Sequence, residues 1–290
     1  MGYSFKGGTM RYCNGITDRP FLTEFLGLRT TRRAIIALAL ASAVVVPSFA
    51  NGGKVDPQVD PKAVLRSMSD YLARQSTISA KFNSSIEVIT PELEKIQFDS
   101  STTLQLKRPD KLRVERVGGY AAVEMIFDGT TLTIHDIDNK KYAQASAGGT
   151  IDALVDRMRH EFGIGAPGVD LLLSDVYAAL SADVLAAKYI GQGVIDGVEC
   201  EHLAFRNNET DWQLWVRTGP EPIPCKMVIT SKTVTGSPQY TVEVRDWKPG
   251  AAIGNAAFEF KVDGAGSKVE IKDLSALDEV PPAATEGAQQ

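Results

Sequence analysis

The sequence has 290 residues, of which 43% are hydrophobic, with 31 Lys and Arg against 36 Asp and Glu. Residues 1–50 hold 6 basic and 2 acidic side chains, so residues 51–290 hold 25 and 34, a net charge of −9. This acidic balance argues against nucleic acid as a partner and against electrostatic docking on anionic lipid. The remaining length is enough for one large domain with its own core.

Residues 30–53 have the organisation of a secretory signal peptide. Arg32-Arg33 forms a basic flank, the apolar run extends from Ala34 to Val46, and Ser48-Phe49-Ala50 supplies the small residues of a cleavage site. The run is too short to span a bilayer. We therefore expect export to the periplasm with cleavage near Ala50, and no transmembrane segment in the mature chain.

The route of export stays open, because an arginine pair occurs in both twin-arginine and general signals. Met10 is a second candidate start codon. No Cys follows the apolar run directly, which argues against a lipoprotein anchor. We expect a soluble monomer with three segments: an N-terminal extension and signal peptide (1–50), a single domain (51–275) and a disordered Pro/Ala/Glu/Gln-rich tail (276–290).

The mature chain is predicted to begin with a helix and to continue with amphipathic strands. Asp60-Pro61 supplies an N-cap and a proline in the first turn, and apolar residues then repeat at helical spacing to Gln75. From Thr77 the period of the apolar residues changes to two, which indicates strands with one wet face. Six strands are predicted, at 77–88, 96–106, 111–117, 121–128, 130–137 and 140–145.

An apolar helical insert is predicted over residues 150–180. Thr150 caps a helix with one apolar stripe, and a Gly/Pro-rich turn, the triplet Leu171-Leu172-Leu173 and a short helix from Ser174 to Leu180 follow. Five more strands are predicted beyond the insert, at 184–193, 196–206, 211–217, 225–231 and 239–247.

These elements predict a mainly β fold with helices (α+β). About 11 strands joined by hairpins form one antiparallel sheet, and a sheet of this size curls because its strands twist. We expect an incomplete barrel whose concave apolar face is covered by the helices.

Several segments carry a resemblance to known families. Residues 127–136, Phe-Asp-Gly-Thr-Thr-Leu-Thr-Ile-His-Asp, resemble the D-G-x-T-L-x-hydrophobic-x-D hairpin of LolA-like proteins, the periplasmic lipoprotein carriers. From about Asp56 to Phe260 the chain resembles an uncharacterised family of predicted periplasmic proteins in the same superfamily. This likeness is carried by 107–113, 150–154, 200–206, 211–215 and 224–230, together with the hairpin. The resemblance implies an incomplete barrel around helices, an interior that binds acyl chains in the carriers, and no established activity for this branch.

The apolar inward face of the sheet is the candidate ligand site. Trp212 and Trp215 are three residues apart in one strand, so they point to opposite faces, and Trp212 with Leu214 is expected to face inward. Core packing is the favoured explanation of an apolar inward face, because folding requires such a face whether or not a ligand exists. The insert is open to two interpretations, a lid that moves aside for a lipid or a permanent plug. The candidate hydrophobic ligand-binding residues are Phe82, Phe98, Leu104, Phe127, Met158, Phe162, Leu171, Leu172, Trp212, Leu214 and Tyr240.

Cys200 and Cys225 are a candidate disulfide. An oxidising compartment favours the bond. Hairpin counting places both residues beside Arg217 on one face, about 10 Å apart over two strand spacings. A disulfide needs Cα atoms within about 7 Å, so a bulge would have to close the gap. The question stays open.

We predict no catalytic residues, metal or cofactor. Three His without an assembled triad leave little from which to build an active site, and Cys200 with His202 lacks an orienting third group. The first hypothesis is a periplasmic non-catalytic protein that buries a lipid or a lipoprotein acyl chain. The alternative is an envelope protein-interaction or stress-sensing module with a packed interior and a protein partner.

Overall fold

The computed structural model describes residues 59–261, 266–274, 277, 280 and 281. The predicted signal peptide and its cleavage site lie outside these residues, and the domain boundaries stay predictions. Three α-helices are present in this part of the chain: α1 (Pro61–Ala73), α2 (Ile151–His160) and α3 (Val176–Ser181). The strands are β1 (Thr77–Ile89), β2 (Lys95–Lys107), β3 (Lys111–Gly118), β4 (Ala122–Phe127), β5 (Thr131–Asp136), β6 (Lys141–Ser146), β7 (Ala186–Ile195), β8 (Val198–Arg206), β9 (Thr210–Arg217), β10 (Pro224–Ser231), β11 (Gln239–Pro249) and β12 (Ser267–Lys268).

All the strands belong to one sheet, in the order β12-β6-β5-β4-β3-β2-β1-β11-β10-β9-β8-β7. Every neighbouring pair is antiparallel except β12 and β6, which are parallel. Two meanders, β1–β6 and β7–β11, are joined side by side through the β1–β11 pair. Within the described residues β7 pairs only with β8, so the sheet is not closed into a barrel. The predicted fold class and eleven strands are confirmed, and β12 is an additional strand.

The helices cover one face of the sheet, which we call the inner face. Asp60 caps α1 by accepting a hydrogen bond from the Lys62 backbone N–H at 2.9 Å. Leu65 and Leu72 of this helix are fully buried against inner-face residues of β8 to β10. Leu154 of α2 is fully buried against β1 to β6. The core is therefore divided into two clusters, one on each meander, and Trp247 packs against both.

The chain after β11 crosses the opposite, outer face. The Arg113 side chain donates to the Ala257 carbonyl at 3.0 Å, and the Phe260 ring packs on His135 and Tyr142 with centroids 5.4 and 5.1 Å away. Phe258 is 1% exposed. Farther along, β12 joins the edge of the sheet, and Val269, Ile271, Leu274 and Leu277 pack against the first inner cluster. This C-terminal wrap, which reaches into the predicted tail at Leu277, was not predicted.

The predicted register of Cys225 is wrong. Cys200 does lie opposite Arg217 of β9, as expected. Pro224, however, faces Val216 and Lys226 faces Trp215, so a bulge falls at Cys225. The error arose because hairpin counting assumes one residue opposite one residue, whereas a bulge places two against one.

Candidate functional site

One row of large apolar side chains crosses the inner face from β9 to β2. Trp212 pairs with Ile229, Ile229 with Tyr240, Tyr240 with Ile86, and Ile86 with Phe98. Directly paired residues project from the same face of a sheet, so these five form a continuous strip about 19 Å long, four strand spacings. We call these five residues the apolar band.

Burial falls along the apolar band. Trp212 is 4% exposed and its ring stacks on Phe205 with centroids 3.9 Å apart. The other four members are only half-buried. Beyond them Val88 pairs with Ile96, which is 36% exposed. The helical cover therefore ends partway along the row and leaves an accessible apolar surface on β11, β1 and β2.

The predicted ligand residues are divided between this open surface and the packed core. Three of them belong to the apolar band: Phe98 and Tyr240 on its open part, and Trp212 at its buried end. Six of the eleven are less than 9% exposed, namely Leu104, Phe127, Met158, Leu171, Trp212 and Leu214. Leu171 packs in the second cluster and its neighbour Leu172 against the first. The candidates thus do not form one pocket.

Sequence reasoning missed two members of the apolar band, Ile86 and Ile229. Both lie on predicted strands, and Ile86 lies on the apolar face that the period of two indicates. Ile86 lies beside Tyr240 through the pairing of β1 with β11, although the two residues are more than 150 positions apart. Ile229 lies beside Tyr240 through the pairing of the consecutive strands β10 and β11. Alternation within a strand gives its face but not its neighbour, so no signal in the sequence brought Ile86 to Tyr240.

The part of the insert that follows α2 is held in place by several contacts, and we use "the insert" for this part, up to α3, from here on. The carboxylate of Asp170, which is 5% exposed, accepts from the Arg159 guanidinium of α2 at 2.8 Å. The Ser174 backbone N–H donates to Asp152 of α2 at 3.0 Å. Above the sheet, Gly168 adopts a positive φ of 80°, and a Cβ at this position would lie 3.6 Å from the Val242 side chain. The insert therefore covers the sheet as far as Val242, next to the apolar band.

The inner face carries a few polar groups outside the apolar band. In the adjoining row the Ser84 and Ser100 hydroxyls hydrogen-bond each other at 2.8 Å. Among the described residues, the buried indole nitrogen of Trp247 and Nε of Arg108 have no hydrogen-bond partner. Burial lowers the pKa of Arg108, which nearby Asp152 opposes, and its Nη2 donates to the Leu173 carbonyl at 3.2 Å. The apolar band itself therefore offers mainly apolar contact.

The outer face carries a different feature, an open groove of about 460 Å3 over β3, β2, β1 and β11. Its lining is polar, and several of its side chains are held by ion pairs or hydrogen bonds. The Ser101 hydroxyl donates to Asn83 at 3.1 Å, and Arg245 pairs with Glu243 at 2.9 Å. Outer-face residues of the groove are Asn83, Ser85, Asp99, Ser101, Val117, Thr241, Glu243 and Arg245.

A second aromatic group lies on the outer face of β8 and β9. Trp215 stacks on His202 with ring centroids 4.0 Å apart, and His202 Nε2 hydrogen-bonds the Gln213 side-chain oxygen at 2.9 Å. Burial lowers the pKa of His202, against the opposing effect of the Gln213 hydrogen bond. The predicted division of the two tryptophans is confirmed, since Trp212 is in the core and Trp215 is half-buried on the other face. The bonding partner of His202 is Gln213, not Cys200.

The described residues contain no group of three or more His, Cys, Asp or Glu side chains arranged to hold a metal ion. In the same residues, the helices are all too short or too polar to cross a membrane.

The fold and the site define a class of protein: an open antiparallel sheet with helices on one face and an apolar strip that the helices leave partly uncovered. The chain belongs to the family described as "Predicted periplasmic protein (DUF2092)", whose model matches residues 61–272. This match confirms the family to which the sequence was likened. No curated protein matches the chain significantly.

Solved structures with a similar fold are distant in sequence. An uncharacterised conserved protein from Thermus thermophilus has a TM-score of 0.44 at 9% identity, covering 72% of this chain and 98% of its own. The Mycobacterium tuberculosis lipoprotein LppX has a TM-score of 0.35 at 12% identity, with 71% and 100% covered. The LolA superfamily protein NE2245 from Nitrosomonas europaea has a TM-score of 0.33 at 12% identity, with 70% and 98% covered.

Proposed function

We propose that this protein is a non-catalytic binding protein of the periplasm that holds a lipid, or the acyl chain of a lipoprotein, on its apolar band. In this proposal residues 1–50 export the chain and are removed near Ala50. The family description, a predicted periplasmic protein, supports the location. The observation that supports the binding function is that burial decreases along the apolar band, from Trp212 beneath the helices to the half-buried Phe98.

An acyl chain is the ligand whose chemistry fits this surface best. Each methylene that leaves water contributes about 0.8 kcal/mol, so a chain laid along several strands gains affinity without any polar contact. The strip is narrow and extended, as such a chain is. It is also bordered by the insert at Val242, which would shield one side of the bound chain.

The proposal is tested with the protein produced in a periplasm and purified without detergent. Native mass spectrometry and lipid extraction identify any ligand that remains bound, and titration with a fluorescent fatty acid measures uptake. We expect a stoichiometric lipid or a saturable uptake of the probe. A protein that is free of lipid and takes up no probe would overturn the proposal.

Two variants on one strand locate the site. Phe98→Arg places a charge on the apolar band, and we expect it to weaken probe binding at least about tenfold, the equivalent of about 1.4 kcal/mol. Gln97→Arg is the matched control, because Gln97 is an exposed neighbour on the opposite face. Equal binding by the two variants would show that the apolar band is not the site.

The second candidate function is a protein-interaction module, in which the packed clusters serve only stability. The polar groove on the outer face favours it, since a groove of about 460 Å3 with fixed charged side chains suits a polar partner. The fatty-acid titration separates the two, because this module would take up no probe.

A further inference from the structure

The bulge at the start of β10 brings two buried thiols together. Cys200 projects from β8 and Cys225 from β10, on either side of β9. Both are free thiols in the structure, 0% and 6% exposed, and they lie close enough for each to influence the pKa of the other. The Cys200 thiol donates to the Val198 carbonyl at 3.5 Å, and the Cys225 thiol to the Ile223 carbonyl at 3.9 Å. Because Cys225 lies in the bulge, its side chain is not held to the regular register that would separate the two residues by two strand spacings.

We propose that Cys200 and Cys225 form a disulfide in the exported protein, linking β8 to β10 across β9. The two thiols together lose two protons and two electrons, and one S–S bond forms. The electrons pass by thiol–disulfide exchange to the disulfide of a periplasmic dithiol oxidase, which becomes a dithiol. In the purified protein, glutathione disulfide accepts them instead. The cellular part of this inference rests on the proposed export.

The surroundings of the pair indicate when the bond forms. In the finished fold both thiols are shut away from solvent, and burial raises the pKa of each, with the contact to Cys200 raising that of Cys225 further. A thiol with a raised pKa exchanges slowly, because the thiolate is the nucleophile. The bond is thus expected to form while the strands still assemble, and to resist reductants once they have packed.

The bond would crosslink the strands β8 to β10, which carry the buried end of the apolar band. The crosslink spans β9, whose opposite face presents Trp212 and Leu214 to the second core cluster. It closes a loop of about two dozen residues. A loop of this size is expected to lower the unfolding equilibrium constant on the order of a hundredfold relative to the reduced protein.

Alkylation and peptide mapping test the proposal. Wild-type protein from the periplasmic fraction is denatured in N-ethylmaleimide without reductant, and we expect no label on either Cys and a peptide in which Cys200 is joined to Cys225. If the denatured protein is reduced before labelling, both thiols should take the label. Cys200→Ser is the control, and its Cys225 should take one label without reduction. Two labels on the unreduced wild type, or a bond from either Cys to another chain, would overturn the assignment.

A second measurement is independent of export. Purified, reduced and unfolded protein is refolded in a glutathione redox mixture, and the same mapping is applied. The expected bond forms during refolding and, in the folded protein, survives a reductant that removes it under denaturing conditions. Free thiols after this refolding contradict the bond itself, whereas free thiols only in cells overturn the proposal for the exported protein and leave the bond as one that the fold forms in vitro.

Discussion

The two parts of the inner face are built from the same strands and differ in their cover. Near one end of β1 and β2, Ile78 and Leu106 are fully buried beneath α2 and the insert. Toward the other end of the same strands, Ile86 and Phe98 are half-buried and Ile96 is 36% exposed. Both parts keep the apolar alternation of a strand with a buried face. Alternation therefore marks which face is apolar, whereas the length of the cover decides which part is packed as core and which part stays accessible.

The largest expected effect separates the two parts by stability. Phe127→Ala removes a fully buried ring from the covered part and is expected to cost about 3–5 kcal/mol of the free energy of unfolding. Phe98→Ala removes a half-buried ring from the open part and should cost about 1 kcal/mol. Urea unfolding of both variants checks the difference. Similar losses would mean that Phe98 belongs to the core and that the two parts are not distinct.

The sheet and most of its elements were predictable from sequence because their signals are local. The Asp60 cap, the period of two from Thr77 and the hairpin at Asp128-Gly129 each depend on neighbouring residues, and each is present in the structure. The opposite faces of Trp212 and Trp215 follow from the same period.

The relations between distant segments were not predictable. The β1–β11 pair that completes the apolar band, the bulge at Cys225 and the wrap of Phe258 over the outer face depend on contacts that no sequence period encodes. The two Cys show the point most directly, since one inserted residue changes the distance between their side chains. The site was therefore predicted as a set of residue types, and the structure supplied the neighbours.

The insert at the junction of the two parts offers an intermediate effect. Leu172→Arg introduces a charge at a half-buried position, from which the long side chain can reach water. Because Asp170 and Ser174 tie the insert to α2, we expect a fixed cover: stability falls by about 1–3 kcal/mol while fatty-acid uptake remains. Urea unfolding and probe titration are measured on the same preparation. Loss of uptake with unchanged stability would instead identify a lid.

The smallest expected effect concerns protonation, and it comes from the outer face of β8, since no member of the apolar band is a histidine. His202 lies on β8 behind the second core cluster, stacked on Trp215, and burial lowers its pKa in the folded protein below the ordinary value of 6.5. Between the folded and the unfolded pKa the unfolded chain binds more protons, so stability present above about pH 6.5 is lost as the pH falls.

The variant His202→Gln should flatten this dependence, because glutamine does not titrate in this range. Urea midpoints measured from about pH 7.5 down to about pH 5 show the slope, since this range brackets the reference pKa of histidine. His160→Gln is the matched control, since His160 is exposed at the end of α2. A slope that is equally steep in wild type and His202→Gln would assign the acid sensitivity to carboxylates instead. A slope lost only in His202→Gln would show that the outer face of β8 and β9, behind the second core cluster, is the acid-sensitive region, because the apolar band contains no imidazole.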